Sequence, residues 1–268
     1  MCSIILQEED TAIVKLSVLA SSSAGNSALI ATDRTRLLVD AGLSRRETFE
    51  RLAAAGVDPA SLDAILITHE HSDHTAGLPA IARKLDIPVY LSRLTAPAIA
   101  WSEYTPKLEL FQAGASFTIG DIGVTSFTIP HDAVDPVGFA FQSQGIRIAI
   151  ATDLGYLPDS IRFHLCGADV LLLESNHDLE MLKVGPYPWS VKQRVMGRMG
   201  HLSNEVACNF IREHLDTATS TLILGHLSEH NNHPALVENC AEKALGGRSL
   251  FTRLIVADPR RASESVVY

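Results

Sequence analysis

Thr68-His69-Glu70-His71-Ser72-Asp73-His74 follows directly on the apolar run Asp63-Ala64-Ile65-Leu66-Ile67. Imidazole and carboxylate are the side chains that divalent transition metals bind best, and this stretch packs both types into one loop. The apolar run reads as a short buried strand, so the loop presents its side chains at the strand's carboxyl end. The pattern predicts a metal-dependent hydrolase built around residues 69–74, with further ligands supplied from elsewhere in the chain.

Working outward, four more apolar runs end in a residue of the same kind. Residues 36–39 deliver Asp40, and His131 stands in Ile129-Pro130-His131-Asp132. The run 146–151 leads to Asp153, and Thr221-Leu222-Ile223-Leu224-Gly225 leads to His226. A single histidine at a strand end is usually structural, but ligands of α/β sheets gather outside the carboxyl ends of strands, and five such ends together point to one site. Strand and helix alternate up to about residue 101: strands at 15–20, 27–31, 36–39, 63–67 and 89–91, helices from Ser44 to about Ala55, 75–85 and 93–101. From Leu108 short runs at 108–111, 116–119, 122–129, 137–142 and 146–151 read as an antiparallel meander. Val170–Glu174 and 221–225 are strands, 188–199, 203–214 and 234–245 helices, and 250–256 a last strand. The loop Ser21-Ser22-Ser23-Ala24-Gly25-Asn26 reads as a hairpin turn, since a phosphate cradle of the Gly-Lys-Ser/Thr kind is missing. With no repeat or linker, the expectation is an α/β fold in a single domain over 1–268, residues 1–14 and the tail 259–268 being loosely ordered.

Hydrophobic residues make up 46% and charged residues 20% of the 268, enough for a large core and too little charge for disorder. Apolar runs are far shorter than a membrane span, and the N-terminus lacks the basic and apolar segments of a signal peptide, so a cytoplasmic protein without membrane contact is expected. Cys2, Cys166, Cys208 and Cys240 form no Cys-x-x-Cys pair and read as separate apolar fillers rather than disulfides or a zinc site. The net charge of −9 argues against a surface coated broadly in nucleic acid, though not against a local basic groove.

Thr-His-x-His-x-Asp-His after a strand, with a downstream His, Asp and His, resembles the metallo-β-lactamase-fold superfamily over nearly the whole chain. Glu174-Ser175-Asn176-His177-Asp178, Tyr187-Pro188-Trp189, Gly200-His201-Leu202-Ser203-Asn204-Glu205 and His226-Leu227-Ser228 resemble its WalJ/YycJ-type, ribonuclease Z-like branch, with Ser17-Val18-Leu19-Ala20 and the loop after it. That loop has Ser22 where the branch usually carries glycine, which bears on loop geometry and not on metal binding. The resemblance implies an αββα sandwich of two mixed β-sheets flanked by helices. It implies two divalent metal ions, zinc or manganese with iron also compatible, one held by His69, His71 and His131 and the other by Asp73, His74 and His226, with Asp153 bridging. Asp40 would orient a ligand histidine, Asp73 would serve catalysis as well as metal binding, and His201, oriented by Glu174, would protonate the leaving group. His177 and Trp189 have open roles, the latter to stack on a base or pack in the core.

The implied activity is a phosphodiesterase or nuclease, of the 5′-to-3′ DNA exonuclease type, that uses a hydroxide shared between the two ions and takes DNA in preference to RNA. Lys183, Lys192, Arg194 and Arg198 form a cluster that either touches phosphate or is an ordinary solvated helix face. A carbonyl hydrolase acting on a thioester or lactone, and a non-catalytic metal-binding protein of a signalling or cell-wall-control pathway, are the alternatives. Nothing in the sequence indicates an oligomer.

Overall fold

In the computed structural model, residues 13–101, 104–258 and 261–268 are described, and the described residues begin with a tight hairpin. Strands β1 (Val14–Ser22) and β2 (Gly25–Thr32) pair antiparallel down to Ser22 opposite Gly25, so Ser23 and Ala24 are the turn expected there. The chain continues through β3 (Arg36–Val39), α1 (Arg45–Ala54), β4 (Ala64–Leu66), a one-turn α2 (Ser72–Thr75), α3 (Leu78–Leu85), β5 (Val89–Ser92) and β6 (Leu108–Phe111). A meander follows, with β7 (Ser116–Ile119), β8 (Ile122–Thr128), β9 (Val137–Ser143) and β10 (Ile146–Ala151). Then come α4 (Asp159–Leu165), β11 (Val170–Glu174), α5 (Leu179–Val184), α6 (Trp189–Val195), α7 (Asn204–His214), β12 (Thr221–Gly225), α8 (Pro234–Leu245), β13 (Arg253–Val256) and β14 (Val266–Val267).

These strands make two mixed seven-stranded sheets, ordered β14-β1-β2-β3-β4-β5-β6 and β13-β12-β11-β10-β9-β8-β7. The continuous apolar runs are explained by burial on both faces. Leu172 of β11 packs between the sheets with Leu16, Leu66, Phe139 and Phe141, while its neighbours Leu171 and Leu173 face α4, α7 and α8. On the other sheet Leu37 points inward, and Leu38 joins Leu52 and Ile81 beneath α1 and α3. Helices thus cover both outer faces, giving the αββα sandwich. Truncating an inward residue such as Leu172 to alanine removes about 2–5 kcal/mol.

Several local expectations are corrected. The helix expected over 75–85 breaks between α2 and α3, because Gly77 donates its N–H to the Ala41 carbonyl and a Cβ there would lie 1.9 Å from the Leu43 oxygen. Residues 93–101 hold only a 3-10 turn at Ala96–Ala98. Helices α4 and α5 are additional: each is under two turns, too short for a periodic signal, though Asp178 caps α5 by accepting the N–H groups of Glu180 and Met181. The tail does not hang free, since Val266–Val267 pair with β1 and Ser265 hydrogen-bonds Ser17 at 2.7 Å. Cys208 and Cys240 are brought into bonding contact across α7 and α8 with Cα atoms 6.2 Å apart, so the reading of separate cysteines fails for this pair. Their spacing of 32 residues carries no pairing signal, which comes only from the packing of the two helices. The expectation for the N-terminal extension falls mainly on residues 1–12, outside the described residues.

Candidate metal centre

At the carboxyl ends of β3, β4, β10 and β12 the backbone turns sharply, and three of the turning residues are Asp40, Asp153 and His226 with φ of 59°, 62° and 56°. L-residues rarely hold the left-handed region, and such strain gathers at functional sites. Each turn aims a side chain back over the strand end. The stretch after β4 does the same by helix geometry: His71 precedes α2, whose single turn brings Asp73 and buried His74 together with Asp153 and His226. Gly42 makes room for this, because a Cβ there would lie 1.6 Å from the Asp73 carbonyl oxygen. Glu70 is half-buried and accepts the Val134 N–H through Oε1, tying the loop to the segment that carries His131.

Seven side chains converge in two groups. His69, His71 and His131 form one, and Asp73, His74, Asp153 and His226 the other, each group offering ligand atoms within 4.8 Å of one another. Second partners orient the rings. Nδ1 of His74 lies 2.8 Å from Asp40 Oδ2, Nδ1 of His131 3.2 Å from the Gly200 carbonyl, and Nδ1 of His226 2.6 Å from Glu174 Oε1. Their Nε2 atoms are left facing inward. Nε2 of His131 then stands 3.2 Å from Nδ1 of His71, two ring nitrogens facing each other. Nε2 of His69, Nε2 of His226 and Oδ2 of Asp153 are buried without any hydrogen-bond partner. With the rings deprotonated these atoms offer lone pairs that a cation can take, so the donor set fits two divalent ions.

The charges within the cluster are tightly linked. Burial disfavours the protonated form of His226, but Asp153, Asp73 and Glu174 outweigh it and push its pKa up to about 10. His74 is likewise buried, and is raised by Asp153 and Asp40. His69 and His131 go the other way, lowered chiefly by burial. Asp153 and Asp73, despite burial, are held well below the ordinary carboxylate range by the surrounding histidines.

Glu174, the last residue of β11, is fully buried and saturated. Its Oε2 accepts the N–H groups of Leu154 (3.1 Å) and Leu202 (2.9 Å), and its Oε1 is shared by His226 and His201 at 2.6 and 2.9 Å. Burial works against its charge, yet His201 and His226 bring its pKa down to about 2. His201 lines the cavity of about 210 Å³ together with His71, Asp73, His131, Asp153 and His226. With Nδ1 on Glu174, the ring presents Nε2 to the cavity, and Glu174 and Asp153 raise its pKa against the effect of burial.

Other expected residues land elsewhere. His177 is buried outside the cavity lining, both ring nitrogens lack partners, and burial pushes its pKa down to about 4. Trp189 is 62% exposed at the start of α6 and outside the cavity lining, so it is not a core residue. The cationic cluster is engaged internally: Arg194 with Asp132, Arg198 over the Tyr156 ring, Lys183 with Glu180, and Lys192 on the Lys183 carbonyl. Residues not singled out in the sequence also build the centre. Asn26 sets its amide 3.2 Å from Asp73 Oδ2 and 3.0 Å from His74 Nε2, Thr68 binds Asp40 through both hydroxyl and N–H, and Ser21 accepts the His226 N–H at 2.7 Å. Thr68 opens the motif itself, and Asn26 and Ser21 are paired strand residues that flank the hairpin turn, in the polar run 21–26 that is the one signal available for them.

A profile of the beta-lactamase superfamily domain matches residues 35–227. The exodeoxyribonuclease WalJ of Streptococcus pneumoniae serotype 2 (strain D39) is 40% identical over 242 residues, 87% of this chain and 90% of that protein. The exodeoxyribonuclease YycJ of Bacillus anthracis is 40% identical over 232 residues, 85% of this chain and 88% of that one. Among solved structures, the metallo-β-lactamase fold protein YhfI from Bacillus subtilis superposes with a TM-score of 0.73 at 18% identity, covering 96% of this chain and all of the other. Human tRNase Z, short form, superposes at 0.61 with 16% identity over 93% of this chain and 98% of its own.

Proposed function

We propose a two-metal phosphodiesterase acting on DNA, of the 5′-to-3′ exonuclease type, for this chain, which belongs to the β-lactamase superfamily. What carries the chemistry is the convergence of seven imidazole and carboxylate side chains, three of them with buried ligand atoms that no protein group satisfies. The substrate class is drawn from the relatives WalJ and YycJ, both named exodeoxyribonucleases.

In this reading His69, His71 and His131 hold one ion, Asp73, His74 and His226 hold the other, and Asp153 serves both. When bound, the ions acidify a water towards a pKa near 7 and offset charge on the phosphoryl oxygens. Zinc and manganese suit the donor set, and iron is compatible with it. Asp40, Glu174 and the Gly200 carbonyl hold His74, His226 and His131 with Nε2 turned inward. His201, carrying a proton on Nε2, is placed to give it to the leaving oxygen as the phosphorus–oxygen bond breaks, while Glu174 holds the ring.

The test supplies purified protein with manganese or zinc and offers 5′-phosphorylated DNA, the matching RNA, bis(p-nitrophenyl) phosphate and a thioester. Cleavage of the DNA, lost in Asp73→Ala and His74→Ala, is the expected result. Activity confined to the thioester points to a carbonyl hydrolase, and stoichiometric metal binding with no turnover points to a binding protein. Unchanged DNA cleavage by either variant overturns the two-metal assignment.

A further inference from the structure

Beside the metal centre lies a second concavity that no step above uses. It is an open groove of about 650 Å³ lined by Arg45 of α1 and by Pro79, Ala80, Arg83 and Lys84 of α3. All three cations are exposed, and among the described residues none makes a salt bridge or side-chain hydrogen bond. The cations of α6, which border the catalytic cavity more closely, are by contrast engaged with protein groups.

The position of Arg45 is informative. It is the first residue of α1, where the positive end of the helix dipole disfavours a cation. Its neighbour Arg46 is offset by Glu50 at 3.7 Å, but Arg45 has no such offset. A local rule broken without compensation inside the fold is a mark of a functional position. Arg83 and Lys84 stand in the last turn of α3, where the dipole favours them, yet that alone does not account for their facing Arg45 across one groove.

The groove is joined to the metal centre by short, fixed backbone. Only four residues separate Asp40, which orients His74, from Arg45, and α3 begins four residues after His74. Hydrogen bonds from Ala41 N–H to the His74 carbonyl, from Gly77 N–H to the Ala41 carbonyl and from Gly42 N–H to the Asn26 carbonyl bind these segments together. A shallow polar depression formed by Ser22, Ala24, Gly25, Gly42, Leu43 and Ser44, with Glu47 and Arg51, adjoins both concavities along the chain, since Ser23 lines the metal-centre cavity and Arg45 the groove. Glu47 is occupied there by the Ser44 hydroxyl at 2.6 Å. At no more than about 3.6 Å per residue the path from Asp40 to Arg45 is at most about 18 Å long.

We infer that the Arg45, Arg83 and Lys84 groove binds the phosphate backbone of a single-stranded nucleic acid whose end lies at the metal centre, so that the chain holds its substrate away from the bond it cuts as well as at it. This rests on the phosphodiesterase reading for the end at the metals, but the groove is tested by binding alone. Fluorescence anisotropy would compare a nuclease-resistant phosphorothioate 12-mer with a trinucleotide, on the wild type and on the triple variant Arg45→Gln, Arg83→Gln, Lys84→Gln. Circular dichroism and metal content report whether the variant is folded.

The wild type is expected to bind the 12-mer at least tenfold more tightly than the trinucleotide. The variant is expected to lose that gain, and its salt dependence to become shallower by about two in log–log slope, the value for three single-strand phosphate contacts. A folded variant that keeps both the length gain and the slope overturns the proposal, as does a wild type that shows no length gain. If the wild type cuts no DNA, the phosphodiesterase reading fails, and the anisotropy result still decides whether the groove binds.

Discussion

Replacing Glu174 with glutamine changes one atom of the side chain and tests how the centre is held. All four hydrogen bonds to the carboxylate are accepted by it: two from the backbone of Leu154 and Leu202, two involving His226 and His201. An amide keeps one accepting atom. If that oxygen stays with the two N–H groups, the amide nitrogen faces both rings and donates to them. Each ring must then accept at Nδ1 and carry its proton on Nε2. For His226 this places a proton on the atom aimed at the cluster, and hydrogen bonds to a charged partner are worth about 1.5–3 kcal/mol each. Loss of such an orienting partner typically weakens metal affinity 10- to 100-fold, which is about 1.4–2.7 kcal/mol at 1.36 kcal/mol per decade. We therefore expect Glu174→Gln to weaken the ion held by Asp73, His74, Asp153 and His226 by that factor, with the ion held by His69, His71 and His131 little changed. Competition with a chromophoric chelator measures both affinities. A second effect separates from the first: excess metal restores occupancy, but without the Glu174 charge that raises its pKa His201 stays neutral and its Nε2 proton is a far weaker acid, so kcat stays at least tenfold low at saturating metal. A variant with wild-type affinity at both sites and wild-type kcat would refute the reasoning.

His201→Asn should lower kcat on DNA by about 10²- to 10⁴-fold but have a far smaller effect on bis(p-nitrophenyl) phosphate, whose leaving group departs without a proton; equal losses would remove His201 from that role. In the metal-free protein His226, with its pKa near 10, and His74, also raised, are protonated at pH 7, whereas His69 and His131 are lowered and neutral. Binding at the second group should therefore release about two protons and strengthen as pH rises towards 10, while binding at the first releases few, which calorimetry in buffers of different ionisation enthalpy would read. Gly42→Ala forces a Cβ against the Asp73 carbonyl, and should lower stability by about 1–3 kcal/mol or more in thermal denaturation and weaken the second ion; an unshifted midpoint would show that the loop is free to move.

Much of this architecture was legible because apolar strands punctuated by ligand residues are a strong local pattern. The run Asp63–Ile67 followed by three histidines named both the strand and its end, and Asp40, Asp153 and His226 repeated the arrangement. Their positive φ values could not be read, since neither aspartate nor histidine declares a left-handed turn in one sequence. Asn26 and Ser21 were hidden for another reason: their contacts lie 47–48 and 205 residues away, and are made only when the sheets meet at Ser22 and Leu227. The same holds for Cys208 and Cys240, brought together by two helices that pack side by side. Lys183, Lys192, Arg194 and Arg198, which in sequence read either as phosphate contacts or as a solvated helix face, are engaged by Glu180, the Lys183 carbonyl, Asp132 and the Tyr156 ring. The groove on α1 and α3 has no local sequence signal, because Arg45 and Arg83 stand 38 positions apart.

The central claim is that two ions held by these seven side chains do the cutting. Metal content per chain, measured by elemental analysis on wild type and His74→Ala in parallel with cleavage of 5′-phosphorylated DNA, tests it most directly. The account predicts two divalent ions and cleavage for the wild type, and one ion with cleavage lost for the variant. Two ions and undiminished cleavage in His74→Ala, or full cleavage by wild type stripped of metal and assayed in chelator, would contradict it.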